Sequence, residues 1–145
     1  ASSTRILRAL RVVGLETALA QLEHGLDTLV AATGWPLTIT ETMQLKLASA
    51  IIARPRVLVL GQLYDTVPGE HLREAFDMIQ EDNGTTIIYF STRTRDLGFD
   101  RFLYLGHEEQ RLFSDFSTLN DFALGQIAKE ERLAAEAGSL TPALQ

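Results

Sequence analysis

The spacing of apolar residues at the start of the chain predicts two short helices. The first has one apolar face, formed by Ile6, Leu7, Leu10 and Val13. Ser3 or Thr4 can cap this helix, and Gly14 ends it. The second helix covers residues 15–22, and residues 23–36 after it are loop-like. These segments predict a small helical region ahead of the main body.

A longer helix and a buried strand follow. Thr38 or Thr40 can cap the helix, and Arg54-Pro55 stops it because the residue before a proline avoids helical geometry. Its broad apolar face is made of Leu45, Leu47, Ala48, Ile51 and Ile52. Residues 57–60 are an unbroken apolar run, which is typical of a strand covered on both faces.

The next segments repeat this alternation. Residues 69–82 predict an amphipathic helix, Asn83-Gly84 a turn, and residues 85–90 a second buried strand. The inward face of the helix is formed by Leu72, Ala75, Phe76 and Ile79. The predicted core positions of the two strands are Leu58, Leu60, Ile87 and Ile88. The order strand, helix, strand predicts parallel pairing with a right-handed crossover.

The last third of the chain changes character. Residues 102–105 and 111–116, separated by Gly106-His107-Glu108, predict a hairpin or a strand with an antiparallel edge partner. Residues 119–137 are rich in Ala, Glu and Leu and predict a helix, and residues 138–145 predict a frayed end.

Composition excludes several classes of function. The chain has 145 residues, a net charge of -6 and no cysteine, so thiolate metal sites, disulfides and a cysteine nucleophile are excluded. The acidic balance makes nucleic acid a poor partner. No apolar run reaches the roughly 20 residues that span a bilayer, so we expect a soluble domain. His24, His71 and His107 lack metal-ligand spacing, and surface histidines are the simpler interpretation.

In their order and spacing, these segments resemble the nucleotide-binding domain of ABC transporters, most closely the exporter branch. The resemblance runs from about residue 4 to residue 119. Residues 9–30, ALRVVGLETALAQLEHGLDTLV, look like the helical subdomain, and LASAIIARPRVLVL is similar to the helix and Walker B strand. TTIIYFSTR is similar to the switch strand, and FDRFLYLGHEEQRLF to the strands after it.

The resemblance implies an α/β fold, part of a P-loop NTPase-like ABC ATPase domain: a helical subdomain and a mainly parallel sheet with flanking helices. It divides the chain into a helical subdomain (residues 1–36), a signature helix with the α/β core (37–119) and a C-terminal helical tail (120–145). The sequence holds no G-x-x-x-x-G-K-[ST] loop, so the phosphate cradle of the family is missing from it. The resemblance therefore implies the second half of such a domain.

The family's signature, LSGGQ, begins a helix whose amides approach the γ-phosphate of ATP held by the opposite subunit. Leu37 is followed at the matching positions by Thr38, Ile39, Thr40 and Glu41. Ile39 places a branched side chain where glycine permits close approach, and Glu41 adds negative charge. Phosphate binding here is expected to be weak, and an N-cap role for Thr38 or Thr40 is the simpler interpretation.

The Walker B strand of the family ends in an Asp that holds Mg²⁺ through water and a Glu that polarises the attacking water. Gly61 and Gln62 stand at these positions. Glycine has no ligand atom in its side chain, and glutamine cannot accept a proton from water. Nearby Asp65 matches the family's D-loop region, where Pro68 replaces the usual Asp, and Asp65 is assigned no role.

The switch histidine of the family is matched by Thr92, which is shorter and never cationic. Arg93 and Arg95 can supply charge nearby, although solvated arginines are the simpler interpretation. No residue of this chain is therefore predicted to be catalytic, and no metal site is predicted. Acidic pairs such as Glu130-Glu131 are interpreted as solvated faces.

Two hypotheses follow from the resemblance. The first is a degenerate nucleotide-binding domain of an exporter-like membrane transporter, at the cytoplasmic face of the membrane, with weak or no ATP hydrolysis by this segment. The second is a non-catalytic pseudo-ATPase module for interaction or dimerisation. The resemblance implies ATP and Mg²⁺ as cofactors, neither bound tightly by this segment alone. It implies as partners an upstream transmembrane and Walker A-containing part and a second nucleotide-binding domain.

Overall fold

The structure, a computed structural model, describes residues 2–81, 84–93 and 95–139. The chain divides into two compact units, Ala1–Leu97 and Gly98–Gln145. Both units combine helices with strands, as the α/β prediction requires. The functional boundaries predicted after residues 36 and 119 stay a prediction. No helix within the described ranges is both long enough and apolar enough to cross a membrane.

The first unit alternates helices with two strands. Its helices are α1 (Ser3–Val12), α2 (Glu16–Ala20), α3 (Ile39–Ala53) and α4 (Gly69–Gln80), and its strands are β1 (Val57–Leu60) and β2 (Thr86–Tyr89). Short 3₁₀ turns cover Gly25–Asp27 and Gln62–Thr66. The second unit contains β3 (Phe102–Leu105), β4 (Gln110–Phe113) and α5 (Phe116–Ser139).

Helix α3 is the centre of the first unit and packs against α1, α4 and the 3₁₀ turn Gln62–Thr66. It begins with a capping box, in which the Thr38 hydroxyl accepts from the Glu41 backbone N–H and the Glu41 carboxylate accepts from the Thr38 N–H. It ends at Arg54, whose left-handed φ of 51° closes the helix before Pro55. Both predicted ends of this helix are confirmed, with Thr38 as the cap.

Helices α1 and α4 are joined where α1 ends. Gly14 has a φ of 82°, and a Cβ there would lie 2.7 Å from Nε2 of His71. His71 Nδ1 lies 3.1 Å from the Val12 carbonyl oxygen. The ring therefore fits only because residue 14 has no side chain, and His71 is a packing residue between helices.

Strands β1 and β2 pair in parallel, as predicted, with Val59 opposite Ile88 and Leu60 opposite Tyr89. The expectation that the strands are covered on both faces is wrong for this chain. Leu60 is buried, but Val59 is 59% exposed and Ile88 is 44% exposed. Successive strand residues point to opposite faces, so one face of this sheet is packed and the other is uncovered among the described residues.

The predicted hairpin is confirmed in the second unit, where β3 and β4 are antiparallel and pair Phe102 with Phe113. Helix α5 starts at Phe116, earlier than predicted, because its first turns pack on the hairpin. The contacts are aromatic: Phe102 lies 5.9 Å from Phe116, and Phe122 lies 5.1 Å from Tyr104 between ring centroids. Thus the described residues form two separate two-stranded sheets, one parallel and one antiparallel. Asn83, which belongs to the predicted turn, lies outside the described residues. So do residues 140–145 of the predicted frayed end.

Candidate functional site

The carboxyl ends of β1 and β2 bring together the positions that matter in the resemblance. Leu60 and Tyr89 are register partners, and the Phe90 N–H donates to the Leu60 carbonyl at 2.9 Å. Residues 61–62 and 91–92 therefore leave the same edge of the parallel sheet. Ligand sites of open parallel sheets lie at this edge, so this edge is the candidate functional site.

Gly61 and Gln62 offer little at this edge. Gly61 is exposed, has an extended backbone with φ −84° and ψ 174°, and an added Cβ there would meet no atom within 4 Å. Gln62 is exposed as well, at the start of the 3₁₀ turn. Neither side chain is an acid, so these two positions supply no anionic metal ligand and no general base.

The carboxylate at the edge comes from Asp65, which is only 6% exposed. It lies in the 3₁₀ turn after β1, and its partners follow or end β2. Oδ1 accepts hydrogen bonds from the Tyr89 hydroxyl and, at 2.6 Å, from Ser91 Oγ. Oδ2 accepts from the Thr92 backbone N–H at 3.1 Å and from Thr92 Oγ1 at 3.2 Å. Both oxygens are thus engaged by groups that the β2 end supplies.

Arg95 places a positive charge beside the Asp65 carboxylate. Arg95 Nη2 lies 3.7 Å from Asp65 Oδ1, and Arg95 Nη1 donates to the Val67 carbonyl at 3.3 Å. Arg95 therefore contacts the last part of the 3₁₀ turn and the residue that follows it. We call Asp65 with Tyr89, Ser91, Thr92 and Arg95 the Asp65 cluster.

The cluster keeps Asp65 ionised and Tyr89 neutral. Burial alone would raise the pKa of Asp65, but hydrogen bonds from Ser91, Tyr89 and Thr92 favour the carboxylate, and the net pKa is lower than usual. Burial, followed by the hydrogen bond to Asp65 and its charge, raises the pKa of Tyr89 to about 12. The hydrogen bond between the two groups favours both the carboxylate and the neutral phenol, so it adds to the lowering of the Asp65 pKa and to the raising of the Tyr89 pKa.

The predicted switch position, Thr92, belongs to this cluster. Its N–H and its hydroxyl both donate to Asp65, so the hydrogen atoms with which it would reach a ligand are already engaged. Arg93, the neighbouring cation, is exposed, and its N–H donates to Ser91 Oγ at 3.0 Å. The structure therefore joins Thr92 to Asp65 and not to Gly61 or Gln62.

The signature positions Thr38–Glu41 lie at the start of α3. The Thr38 N–H donates to Glu41 Oε2 at 3.0 Å, and the Glu41 N–H donates to Thr38 Oγ1 at 3.2 Å. Two amides that a phosphate would need are occupied, and the Glu41 carboxylate sits at the positive end of the helix. Ile39 is 65% exposed and covers this end with an apolar side chain. Thr40 is partly exposed and makes no side-chain hydrogen bond among the described residues.

Sequence reasoning missed Asp65 as the organising residue. The available signal was that Asp65 follows one strand while Ser91 and Thr92 follow the next, because parallel neighbours bring such segments to one edge. The resemblance placed Asp65 in the family's D-loop region by its spacing, so Asp65 was given no role.

The second unit holds a separate cavity of about 290 Å³ between the hairpin turn and α5. Its polar lining includes Glu108, Gln126, Lys129 and Glu130, and Lys129 Nζ lies 3.8 Å from Glu108 Oε2. No group of three or more acidic or histidine side chains in the described parts of the chain is arranged to hold a metal ion. This cavity therefore has no evident chemical specificity.

Comparison with known proteins gives one informative similarity. Over 104 residues the chain is 30% identical to an ATP-dependent lipid A-core flippase of Burkholderia orbicola (strain AU 1054). The matched region covers 70% of this chain and 17% of the flippase, so the chain corresponds to a small part of that protein. No protein-family model matches the chain. The similarity agrees in coarse terms with the relation to ABC exporters that the sequence motifs suggest.

Proposed function

We propose that this chain is the C-terminal part of a degenerate nucleotide-binding domain of an ABC exporter-like membrane transporter, and that it contributes weak or no ATP hydrolysis. The proposed loss of hydrolysis rests on the side chains at the carboxyl edge of the β1–β2 sheet. Gly61 and Gln62 provide no carboxylate there, and the Asp65 carboxylate accepts hydrogen bonds on both oxygens. A group in that state is neither a free metal ligand nor a free base.

The relation to exporters is supported by the similarity to the flippase and by the order of the predicted elements. The uncovered face of the β1–β2 sheet adds a physical argument. Val59 and Ile88 are register partners on that face and are largely exposed. Apolar strand faces are stable when another layer covers them, so a larger domain explains these residues better than an isolated sheet does.

In this proposal the remaining partners lie elsewhere: a transmembrane region and a Walker A-containing part of the same protein, and a second nucleotide-binding domain. The segment would then work at the cytoplasmic face of the membrane. ATP and Mg²⁺ belong to the proposal only through the resemblance. The residues at this edge and at Thr38–Glu41 fit them poorly, so we derive no catalytic step through either.

The second candidate is a pseudo-ATPase module that keeps the fold for interaction or dimerisation. It is favoured by the start of α3, where the capping box and the exposed Ile39 replace a phosphate-accessible surface. A G-x-x-x-x-G-K-[ST] loop upstream in the intact protein favours the transporter hypothesis, and an eroded loop favours the module.

The test is Mg-ATP turnover by the full-length protein that carries this chain. The unchanged protein is compared with a Gly61→Asp/Gln62→Glu variant, with Gly61→Asn as a control of similar shape and no charge. We expect weak or no turnover in the unchanged protein and in the control. Efficient turnover in the unchanged protein would contradict the loss of hydrolysis, whether or not it persists after Gly61→Asn. Turnover gained only by the double variant would show that the rest of the ATP site is intact and would reject the pseudo-ATPase module.

A further inference from the structure

Arg95 is held in the Asp65 cluster with part of its hydrogen-bonding capacity unused. Its side chain is 23% exposed, and Nη1 donates to the Val67 carbonyl at 3.3 Å. Nε and Nη2 are buried, and neither has a hydrogen-bond partner in the part of the chain that the structure describes. Buried donors of a charged group are costly when they are left unpaired, so the guanidinium gains free energy if it finds an acceptor for them.

The two unused donors of Arg95 have the geometry that a carboxylate prefers. Nε–H and one Nη2–H lie on the same edge of the planar guanidinium, and this edge can bind both oxygens of a carboxylate at once. A carboxylate is close, since Nη2 lies 3.7 Å from Asp65 Oδ1. At that distance the contact is an ion pair and not a hydrogen bond. A displacement of roughly 1 Å therefore separates the present contact from a hydrogen-bonded pair.

Asp65 is already occupied by other donors. Oδ1 accepts from the hydroxyls of Tyr89 and Ser91, and Oδ2 accepts from the N–H and the hydroxyl of Thr92. An ionised carboxylate offers about four lone-pair sites, and these bonds use them. A bidentate pair with Arg95 therefore requires a donor to leave each oxygen. On Oδ2 that donor comes from Thr92.

Neither set of donors satisfies every group. With the hydroxyls on Asp65, Nε and Nη2 of Arg95 stay unpaired and out of reach of water. With the guanidinium on Asp65, Ser91 and Thr92 lose bonds to a charged acceptor, but both residues are exposed and can bond to water instead. The losses on the two sides are of the same kind, which is the condition for two populated arrangements.

We propose that the Asp65 cluster is a two-state element in which two sets of donors compete for one carboxylate. In the hydroxyl arrangement, which the structure shows, Tyr89, Ser91 and Thr92 hold Asp65. In the guanidinium arrangement, Nε and Nη2 of Arg95 bind the two oxygens, and Thr92 leaves Oδ2. The position of Arg95 thus decides whether the donors of Thr92 are available at the carboxyl edge of the β1–β2 sheet. The inference rests on this cluster alone and does not require the relation to exporters.

Hydrogen exchange of the 145-residue chain, followed by NMR, tests the proposal. A backbone amide exchanges with solvent only while its hydrogen bond is broken, so the Thr92 amide reports the population of the guanidinium arrangement. Ser91→Ala removes one competing donor, and Thr92 should then exchange about tenfold faster, which is the population change that one hydrogen bond produces. The control is Ser49→Ala, which removes a hydroxyl that donates to the Leu45 carbonyl on α3 and should leave Thr92 unchanged.

Arg95→Lys separates competition from simple support. Lysine keeps the charge but lacks the two-donor edge, so it cannot form the guanidinium arrangement. The Thr92 amide should therefore exchange more slowly in Arg95→Lys than in the unchanged chain. It should also exchange more slowly in Ser91→Ala/Arg95→Lys than in Ser91→Ala. A supporting role for Arg95 predicts the opposite sign, because its contact with Val67 is lost. Arg93→Lys makes the same change at an exposed neighbour and should leave Thr92 unchanged.

The Arg95 side chain gives a second readout. Its Nε–H should exchange more slowly in Ser91→Ala than in the unchanged chain, because it is then bonded to Asp65 for more of the time. Tyr89→Phe removes the other hydroxyl from Oδ1 and repeats the test if Ser91→Ala does not fold. Two results would overturn the proposal. One is a Thr92 amide that exchanges equally fast or faster in Arg95→Lys. The other is an Nε–H that does not slow when a hydroxyl is removed.

Discussion

Thr92 donates two hydrogen bonds to one carboxylate oxygen of Asp65, one from its backbone N–H at 3.1 Å and one from Oγ1 at 3.2 Å. This double contact joins the turn after β1 to the segment after β2. It also commits the residue at the family's switch position to a contact within the chain. The sheet edge is therefore organised by a buried carboxylate that the resemblance did not indicate.

Asp65→Asn should destabilise the chain by about 2–4 kcal/mol. The amide keeps one acceptor oxygen but turns an NH₂ group toward donors, so part of the cluster loses its partner, and hydrogen bonds to a charged group are the strong ones. Urea denaturation measures the free energy of unfolding. The control is Asp77→Asn, which makes the same change at an exposed position on α4. Equal losses in the two variants would show that the cluster contributes nothing specific.

The Asp65 cluster should also make stability depend on acid. Because the folded pKa of Asp65 is lower than its unfolded value, its contribution is complete above the unfolded pKa of about 3.9 and is lost as the pH falls through the folded pKa. The difference in unfolding free energy between the unchanged chain and Asp65→Asn should therefore shrink as the pH falls below about 4. A difference that stays constant between neutral pH and pH 2 would show that the carboxylate charge is irrelevant.

Tyr89 should make stability depend on pH in the opposite direction, with a loss at alkaline pH. Its folded pKa of about 12 exceeds the unfolded value, so its contribution is complete below the unfolded pKa and is lost as the pH rises through the folded one. In the window from about 10 to about 12, the unchanged chain should lose more stability than Tyr89→Phe does. Denaturation at several alkaline pH values measures this. Tyr104→Phe serves as the comparison. If Tyr104→Phe reduces the loss of stability at alkaline pH as much as Tyr89→Phe does, the assignment to Tyr89 is contradicted.

The sequence predicted the elements well because their signals are local. The cap at Thr38, the stop at Arg54-Pro55 and the apolar run of β1 depend on residues within a few positions of one another. The parallel pairing of β1 with β2 followed from the helix between them. The expected burial of Ile88 failed, since an apolar strand residue is buried only if another layer exists to cover it.

The candidate site was less accessible to sequence analysis. Gly61, Gln62 and Thr92 were located by matching motifs, and this match identifies which family groups are replaced. It does not indicate what the replacements contact. The bonds of Thr92 to Asp65 join residues 27 positions apart, so they depend on the sheet register and on the path of the 3₁₀ turn. Such contacts emerge only once the strands are placed side by side.

Gly61 and Gly34 differ in backbone conformation and in surroundings, so alanine should have different effects on stability at the two positions. Gly61 has an extended backbone and empty surroundings, so Gly61→Ala should be neutral or up to about 1 kcal/mol more stable, because alanine restricts the unfolded chain. Gly34→Ala should cost about 1–3 kcal/mol, because φ is 92° and the Cβ collides with Thr42. Thermal denaturation of both variants tests this. A costly Gly61→Ala would mean that its surroundings are more crowded than the structure indicates.

The uncovered sheet face leads to a comparison between the chain alone and the intact protein. Leu60 is buried, so Leu60→Ala should cost about 2–5 kcal/mol in either context. Ile88 is 44% exposed, so Ile88→Ala should cost less than about 1 kcal/mol in the 145-residue chain. In the full-length protein, another layer over this face would raise that cost into the range of Leu60→Ala. Protease resistance of the paired variants, measured in both contexts, gives the comparison. An Ile88→Ala variant that stays neutral in the full-length protein would show that the face is not covered by the parent domain, and would argue against the larger sheet that the transporter proposal requires.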